Sequence, residues 1–182
     1  MGKRYDDERD NRQEKKELFE KNADEYLCEY GFKIEVNPRE KIRSFDRFIV
    51  GLDGKNIAGL EYKGKGCYPP RLLLDDNVFN NLNRHAYAQK IPREKLFIGY
   101  YHGYDPKKEW TIFRVSDLIA NGLGKPLYDT EYKARGVIPY NLESRRHLAI
   151  SLDQLYEECY PSPVDDAQPT SLVEFLRGAS DV

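Results

Sequence analysis

The stretch Phe45 to Lys65, FDRFIVGLDGKNIAGLEYKGK, decides how this chain is read. Asp53-Gly54-Lys55-Asn56 supplies turn chemistry, and apolar residues alternate with polar ones on either side of it, the pattern of two half-buried strands joined as a β-hairpin. With the turn centred on Gly54-Lys55, Asp46 is expected opposite Lys63, and Phe48 opposite Glu61. Side chains alternate faces along a strand, so Asp46, Phe48, Val50, Leu52, Ile57, Gly59, Glu61 and Lys63 share one face. That face is apolar except at its open end, where two carboxylates and an ammonium converge.

Two like charges about 4 Å apart repel by about 1 kcal/mol in water and about 4 kcal/mol at an effective dielectric of about 20, with Lys63 the one counter-ion in the motif. Such an arrangement suits a site that receives a cation. A hard divalent ion such as Mg²⁺, with Mn²⁺ as substitute, takes oxygen ligands from one or two carboxylates and completes its shell with water and phosphate. The competing reading is a cross-strand salt bridge worth about 0.2–1 kcal/mol. An acidic residue two before a lysine occurs five times: Glu14/Lys16, Asp53/Lys55, Glu61/Lys63, Asp105/Lys107 and Glu131/Lys133. Only Glu61/Lys63 lies in an alternating strand with an acidic residue on its hairpin partner.

Upstream, Phe19, Ala23, Tyr26, Leu27 and Tyr30 recur at helical spacing from Glu17 to Tyr30, and Gly31 caps the helix. Residues 1–16 are nearly all charged or amide and read as a solvated extension of that helix. Phe32, Ile34 and Val36 predict a first strand. Downstream, Asp76 to Lys90 predicts a second helix with Phe79, Leu82 and Ala86 on one face, capped by Asp75 or Asp76. Lys95 to His102 predicts an interior strand and Trp110 to Val115 another. A short helix is expected after Ser116, a loop over Gly122 to Gly136, edge strands at Val137 to Tyr140 and His147 to Ile150, and a helix over Ser151 to Glu158. Residues 17–160 thus form one domain, and residues 161–182 a proline-containing linker with a short C-terminal helix over Ser171 to Leu176. The order of elements implies an α/β (α+β) fold, a mixed sheet flanked by helices.

Here the pattern resembles the PD-(D/E)xK nuclease superfamily, which places an Asp on one strand of a hairpin and a (D/E)-x-K on the next: Asp46 and Glu61-Tyr62-Lys63 in this chain. Archaeal Holliday-junction resolvases are similar in adding a helical Glu about three turns before a Gly-Phe that starts the first strand. Glu20 stands eleven residues before Gly31-Phe32, with Lys21 after it. Phe45 replaces the family's proline, and helix two offers no Gln or second Lys to mark a subfamily. The resemblance covers about residues 17 to 102. It implies a restriction-endonuclease-like fold and a Mg²⁺-dependent endodeoxyribonuclease of restriction, homing or junction-resolving type. Glu20, Asp46, Glu61 and the Tyr62 carbonyl would hold metal, Lys63 would orient the attacking water, and the ends would be 5′-phosphates. The alternatives are a non-catalytic nucleic-acid-binding or assembly protein on the same fold, and an RNA-directed nuclease.

The partner implied is DNA. Lys65, just past the strand, Arg84 on helix two, and Arg145 and Arg146 in a basic cluster are placed to meet phosphates, although each position also suits an ordinary solvated surface. Double-strand cleavage with one site per chain suggests a homodimer. The 182 residues suffice for a core without disulfides, and Cys28, Cys67 and Cys159 form neither a framework nor a zinc motif. No apolar run approaches the roughly 18 residues of a membrane helix, and the charged start lacks a signal peptide, so a soluble, cytoplasmic protein is expected. The net charge of −2 announces no global basic field. A nuclease that gathers carboxylates for its metal while keeping its phosphate contacts elsewhere would carry such a balance.

Overall fold

The computed structural model describes residues 3–38, 45–65, 72–88, 90–102, 110–126 and 138–161. Helix α1 (Lys3–Tyr30) runs back through the charged segment, and its apolar stripe begins at Phe19 and buries Ala23 and Leu27 completely. It stops at Gly31, whose φ of +113° a side chain would resist, and the Phe32 amide then bonds to the Leu27 carbonyl. Five strands follow in the main sheet: β1 (Ile34–Val36), β2 (Arg47–Val50), β3 (Asn56–Lys65), then, after a short β4 (Leu73–Asp75) and helix α2 (Asp76–Ala88), β5 (Leu96–His102) and β6 (Trp110–Arg114). Their spatial order is β1-β2-β3-β5-β6; β3 and β5 are parallel and the other neighbours antiparallel. Helix α3 (Val115–Asn121) and helix α4 (Leu152–Cys159) complete the flanks, α4 opening on a Ser151/Gln154 capping box. The expected class, a mixed sheet flanked by helices, is the one formed.

Alternation along the central strands divides the core in two. Ile49, Ala58, Leu60, Tyr62, Phe97 and Ile112 pack with α1 and α4, whereas Phe48, Leu96, Ile98, Tyr100 and Phe113 pack with Leu82 of α2 and Leu118 of α3. Both faces of β3 and β5 are therefore covered, as a parallel pair requires. Glu61 and Lys63 interrupt the second face, on the side of α2.

Several expectations are corrected. The hairpin pairs Arg47 with Leu60, Phe48 with Gly59 and Ile49 with Ala58, two residues from the expected register, and a bulge between Ile49 and Val50 makes up the turn end. The loop closes by Gly51 N to Lys55 O (2.7 Å) and Gly54 N to Gly51 O (3.0 Å), which centres the tight turn on Leu52-Asp53, two residues earlier than expected. At that end the predicted face fails: Leu52 is 80% exposed, and Ile57 packs against the α1 side. A second sheet, β4-β8-β7, was not anticipated; it joins β4 to β7 (Lys125–Pro126) and β8 (Pro139–Asn141), so the strand expected at an edge lies in its middle. His147 to Ile150 is not a strand: a 3-10 helix spans Leu142–Leu148, and Ile150 makes one isolated bridge to Ile112. Cys67, the 162–182 segment with its expected helix, and most of the Gly122 to Gly136 loop lie outside the described residues. No helix among the described residues is long and apolar enough to cross a membrane.

Candidate active site

A two-residue slip of register preserves which side chains share a face. Extending the observed pairing by one residue therefore sets Asp46 across from Glu61 itself, bringing the two carboxylates closer than the expected pairing would. Asp46 sits just before β2 begins, and its Oδ2 accepts a hydrogen bond from the Tyr62 amide at 2.8 Å. A strand residue's N–H and C=O point to the same side, so the Tyr62 carbonyl faces the same edge as its amide, the edge on which Asp46 lies. Glu61 lies in the half of β3 that pairs with β5, opposite Ile98, and Lys63 lies opposite Tyr100. The Tyr100 ring is buried and its hydroxyl donates to the Leu73 carbonyl of β4 at 2.9 Å, which walls the site on that side.

The electrostatics follow from this placement. Glu61 is 12% exposed, and its carboxyl is raised from 4.5 to about 7: burial is the main cause, the Asp46 carboxylate within hydrogen-bond reach adds to it, and Lys63 opposes it. Lys63 Nζ donates to Glu61 Oε1 at 2.5 Å and keeps 26% of its side chain exposed. Burial, followed by the Glu61 charge, pushes the Tyr100 hydroxyl well above its ordinary value, so it stays protonated beside the carboxylates. Two carboxylates and a carbonyl edge at the end of a strand pair, with Lys63 beside them, form an oxygen donor set of the kind Mg²⁺ and Mn²⁺ take. The buried, costly charge of Glu61 is the feature a cation would relieve.

Glu20 is placed differently. It is buried on α1, where its carboxylate pairs with Arg47 Nη2 at 3.2 Å and with Lys16 Nζ at 3.3 Å. Among the described residues no group of three or more His, Cys, Asp or Glu is arranged to hold a metal ion, so Glu20 does not complete a preformed triad with Asp46 and Glu61. Of the predicted phosphate contacts, Arg84 is exposed on α2. Arg145 donates to the Gly122 carbonyl at 2.8 Å, and Arg146 pairs with Glu143 at 3.2 Å within the 3-10 helix. The Lys65 side chain lies outside the described residues.

Sequence reasoning missed Arg47, Asp24 and the hydroxyl of Tyr62. Arg47 is 4% exposed, its Nε reaches both Asp24 oxygens at 2.8 and 2.9 Å, and its guanidinium carbon sits 5.3 Å from the centroid of the Tyr62 ring. The Tyr62 hydroxyl donates to Asp24 at 2.8 Å. One signal could have found them: in FDRFIV apolar residues stand at both parities after Arg47, which suggests a strand covered on both faces, where a buried arginine needs carboxylate partners.

No family model matches the chain, and no curated protein matches it. Among solved structures, it is similar to the 1.6 Å structure of Archaeoglobus fulgidus Hjc, a Holliday junction resolvase from an archaeal hyperthermophile. The identity is 14% and the TM-score 0.49, over 75% of this chain and 91% of that one.

Proposed function

We propose that the chain is a Mg²⁺-dependent endodeoxyribonuclease of PD-(D/E)xK type, cutting DNA to leave 5′-phosphate ends. The observation that carries the reading is the meeting of Asp46, Glu61 and Lys63 at the open end of the β2/β3 pair, on an otherwise apolar face. Asp46, Glu61 and the Tyr62 carbonyl would hold the divalent ion, with Mn²⁺ able to substitute. Glu20, tied to Arg47 and Lys16, would join them only by exchanging one of these partners. When bound, the ion lowers the pKa of water and offsets charge on the phosphate.

The chain's own groups account for the remainder. The Tyr62 amide fixes the Asp46 carboxylate, so the carboxylate is held in place before charge develops. Lys63, a compact and partly exposed ammonium, turns from Glu61 toward the incoming phosphate, where it orients the attacking water and stabilises the added negative charge. Water attacks phosphorus in line with the 3′-oxygen, the bond to that oxygen breaks, and the phosphate stays on the 5′ side. The departing 3′-oxygen takes a proton and becomes a hydroxyl. Lys65 and Arg84 are the basic residues proposed to meet the DNA backbone. Arg145 and Arg146 can add contacts through the guanidinium donors their local bonds leave unused.

Plasmid and four-way-junction DNA incubated with the protein should be cut in Mg²⁺ and spared in EDTA. Asp46→Asn and Lys63→Ala should each reduce cutting by at least about 100-fold while the circular dichroism stays that of the wild type. Cutting that survives in either purified variant would remove the assignment. Binding without cleavage by the wild type, in Mg²⁺ and Mn²⁺ alike, would favour a nucleic-acid-binding protein on the same fold.

A further inference from the structure

The segment that carries Asp46 is fixed from behind by buried polar groups. The Asp46 carbonyl accepts from the Asn37 amide at 3.1 Å and from Arg47 Nη1 at 2.9 Å. The Asn37 side chain, 3% exposed, donates through Nδ2 to the neighbouring Phe45 carbonyl at 2.9 Å. Arg47 is in turn held by Asp24 and Glu20, and Asp24 holds the hydroxyl of Tyr62, the residue whose amide binds the Asp46 carboxylate. The result is a closed circuit: Arg47 to the Asp46 backbone, the Asp46 carboxylate to Tyr62, Tyr62 to Asp24, and Asp24 back to Arg47. Every link reaches Asp46 by one or two bonds.

A circuit built on a buried arginine and half-buried carboxylates is a poor way to gain stability, since removing such charges from water costs about as much as their attraction returns. Apolar side chains in the positions of Arg47 and Asp24 would join the α1-side core at less cost. What the ionic version provides is direction. A guanidinium offers five donors in one rigid plane, so an arginine anchored by two carboxylates through Nε and Nη2 aims its Nη1 arm at a fixed point. Here that point is the carbonyl of Asp46.

We propose that Arg47, acting with Asn37, is a positioning residue: it sets the place of the Asp46 carboxylate for the divalent cation without touching the cation or the DNA. This rests on the proposed nuclease reading, in which Asp46 is a ligand. Groups that orient a metal ligand alter metal affinity or activity by about 10–100-fold when removed, and that range applies to this circuit. Arg47→Lys retains the charge and its attraction to Glu20 and Asp24 but lacks the second arm that reaches the Asp46 carbonyl.

The test uses MnCl₂ alone as probe, with free Mn²⁺ read by electron paramagnetic resonance at a temperature well below each variant's unfolding. Arg47→Lys should weaken Mn²⁺ binding about 10-fold or more, and lower kcat for DNA cleavage by a similar factor with KM for DNA within about twofold of wild type. Asn37→Ala, which frees the Phe45 carbonyl from the other side of the segment, should weaken Mn²⁺ binding in the same direction. It serves as the second variant should Arg47→Lys not fold. Asp46→Asn should remove most of the Mn²⁺ binding. If Asp46→Asn abolishes binding while every folded variant of Arg47 and Asn37 binds Mn²⁺ as wild type does, the positioning role is wrong and the nuclease reading stands. If wild type binds no Mn²⁺ and cuts no DNA, both fall together. A variant that only unfolds at a lower temperature, with wild-type Mn²⁺ affinity below it, reveals a merely structural role and overturns the proposal.

Discussion

At the scale of single residues, Glu61 couples the site to the stability of the fold. Its carboxyl titrates near 4.5 in the unfolded chain and at about 7 in the folded one, because burial disfavours the charge. Below pH 4.5 it is protonated in both states and costs nothing. As pH rises toward 7 the unfolded state ionises first, so stability falls; above 7 the penalty is complete. Glu61→Gln should therefore be more stable than wild type in metal-free buffer at pH 8, by on the order of 1–3 kcal/mol. Its advantage should shrink steadily as pH falls to 5, as measured by urea denaturation across that range. An advantage that does not change with pH would refute the assignment of Glu61 as a buried, charged group. Activity should be lost in the same variant, the usual exchange of stability for a costly site.

Among the elements, the hairpin shows what a sequence discloses and what it hides. Period-two alternation and an acidic residue on each strand are local properties, so the common face of Asp46, Glu61 and Lys63 was legible. The exact partners were not, because the bulge at Ile49/Val50 arises from how the 51–55 loop closes, and Asp53-Gly54-Lys55-Asn56 is compatible with more than one closure. Arg47 and Asp24 stand 23 positions apart in different elements, and nothing periodic links them. The strands of the second sheet are two or three residues long, too short for alternation to appear.

Gly59 tests the hairpin directly. A Cβ there would lie 3.0 Å from the Phe45 ring and 2.9 Å from Leu96, so the ring occupies the space a side chain would need. Gly59→Ala should cost about 1–3 kcal/mol in stability. Because Phe45 adjoins Asp46, cleavage should also fall, by more than the loss of folded protein explains; equal losses would show that Phe45 can move without carrying Asp46 along.

Across the whole molecule, α4 closes the far side of the sheet through an aromatic group of Tyr30, Phe32, Tyr156 and Tyr160. The Tyr160 hydroxyl accepts from the Lys33 amide at 2.9 Å and donates to the Val50 carbonyl at 2.8 Å, joining the end of α4 to the start of β1 and to β2. Tyr160→Phe should lower stability by about 1–2 kcal/mol through the two bonds lost, with kcat and Mn²⁺ binding unchanged at temperatures where it is folded. A change in catalysis would mean that α4 influences the site across the sheet. The same comparison separates the α4 side of the sheet, which that aromatic group closes, from the face toward α2, where Glu61 and Lys63 lie.

Strand β3 has one neighbour that precedes it by a short turn and another that arrives more than thirty residues later. Asp46 and Glu61 can thus be brought together as soon as the hairpin emerges during synthesis, but the pair remains bathed in water until β5 docks and Tyr100 covers it. Closing the longer loop comes at greater entropic cost and tends to come later. The order of assembly therefore leaves the Glu61 carboxyl in water on the nascent chain, and the final parallel pairing brings the burial that raises it. A chain cut short before β5 would have the right residues in the right register and still lack the environment that makes them a site.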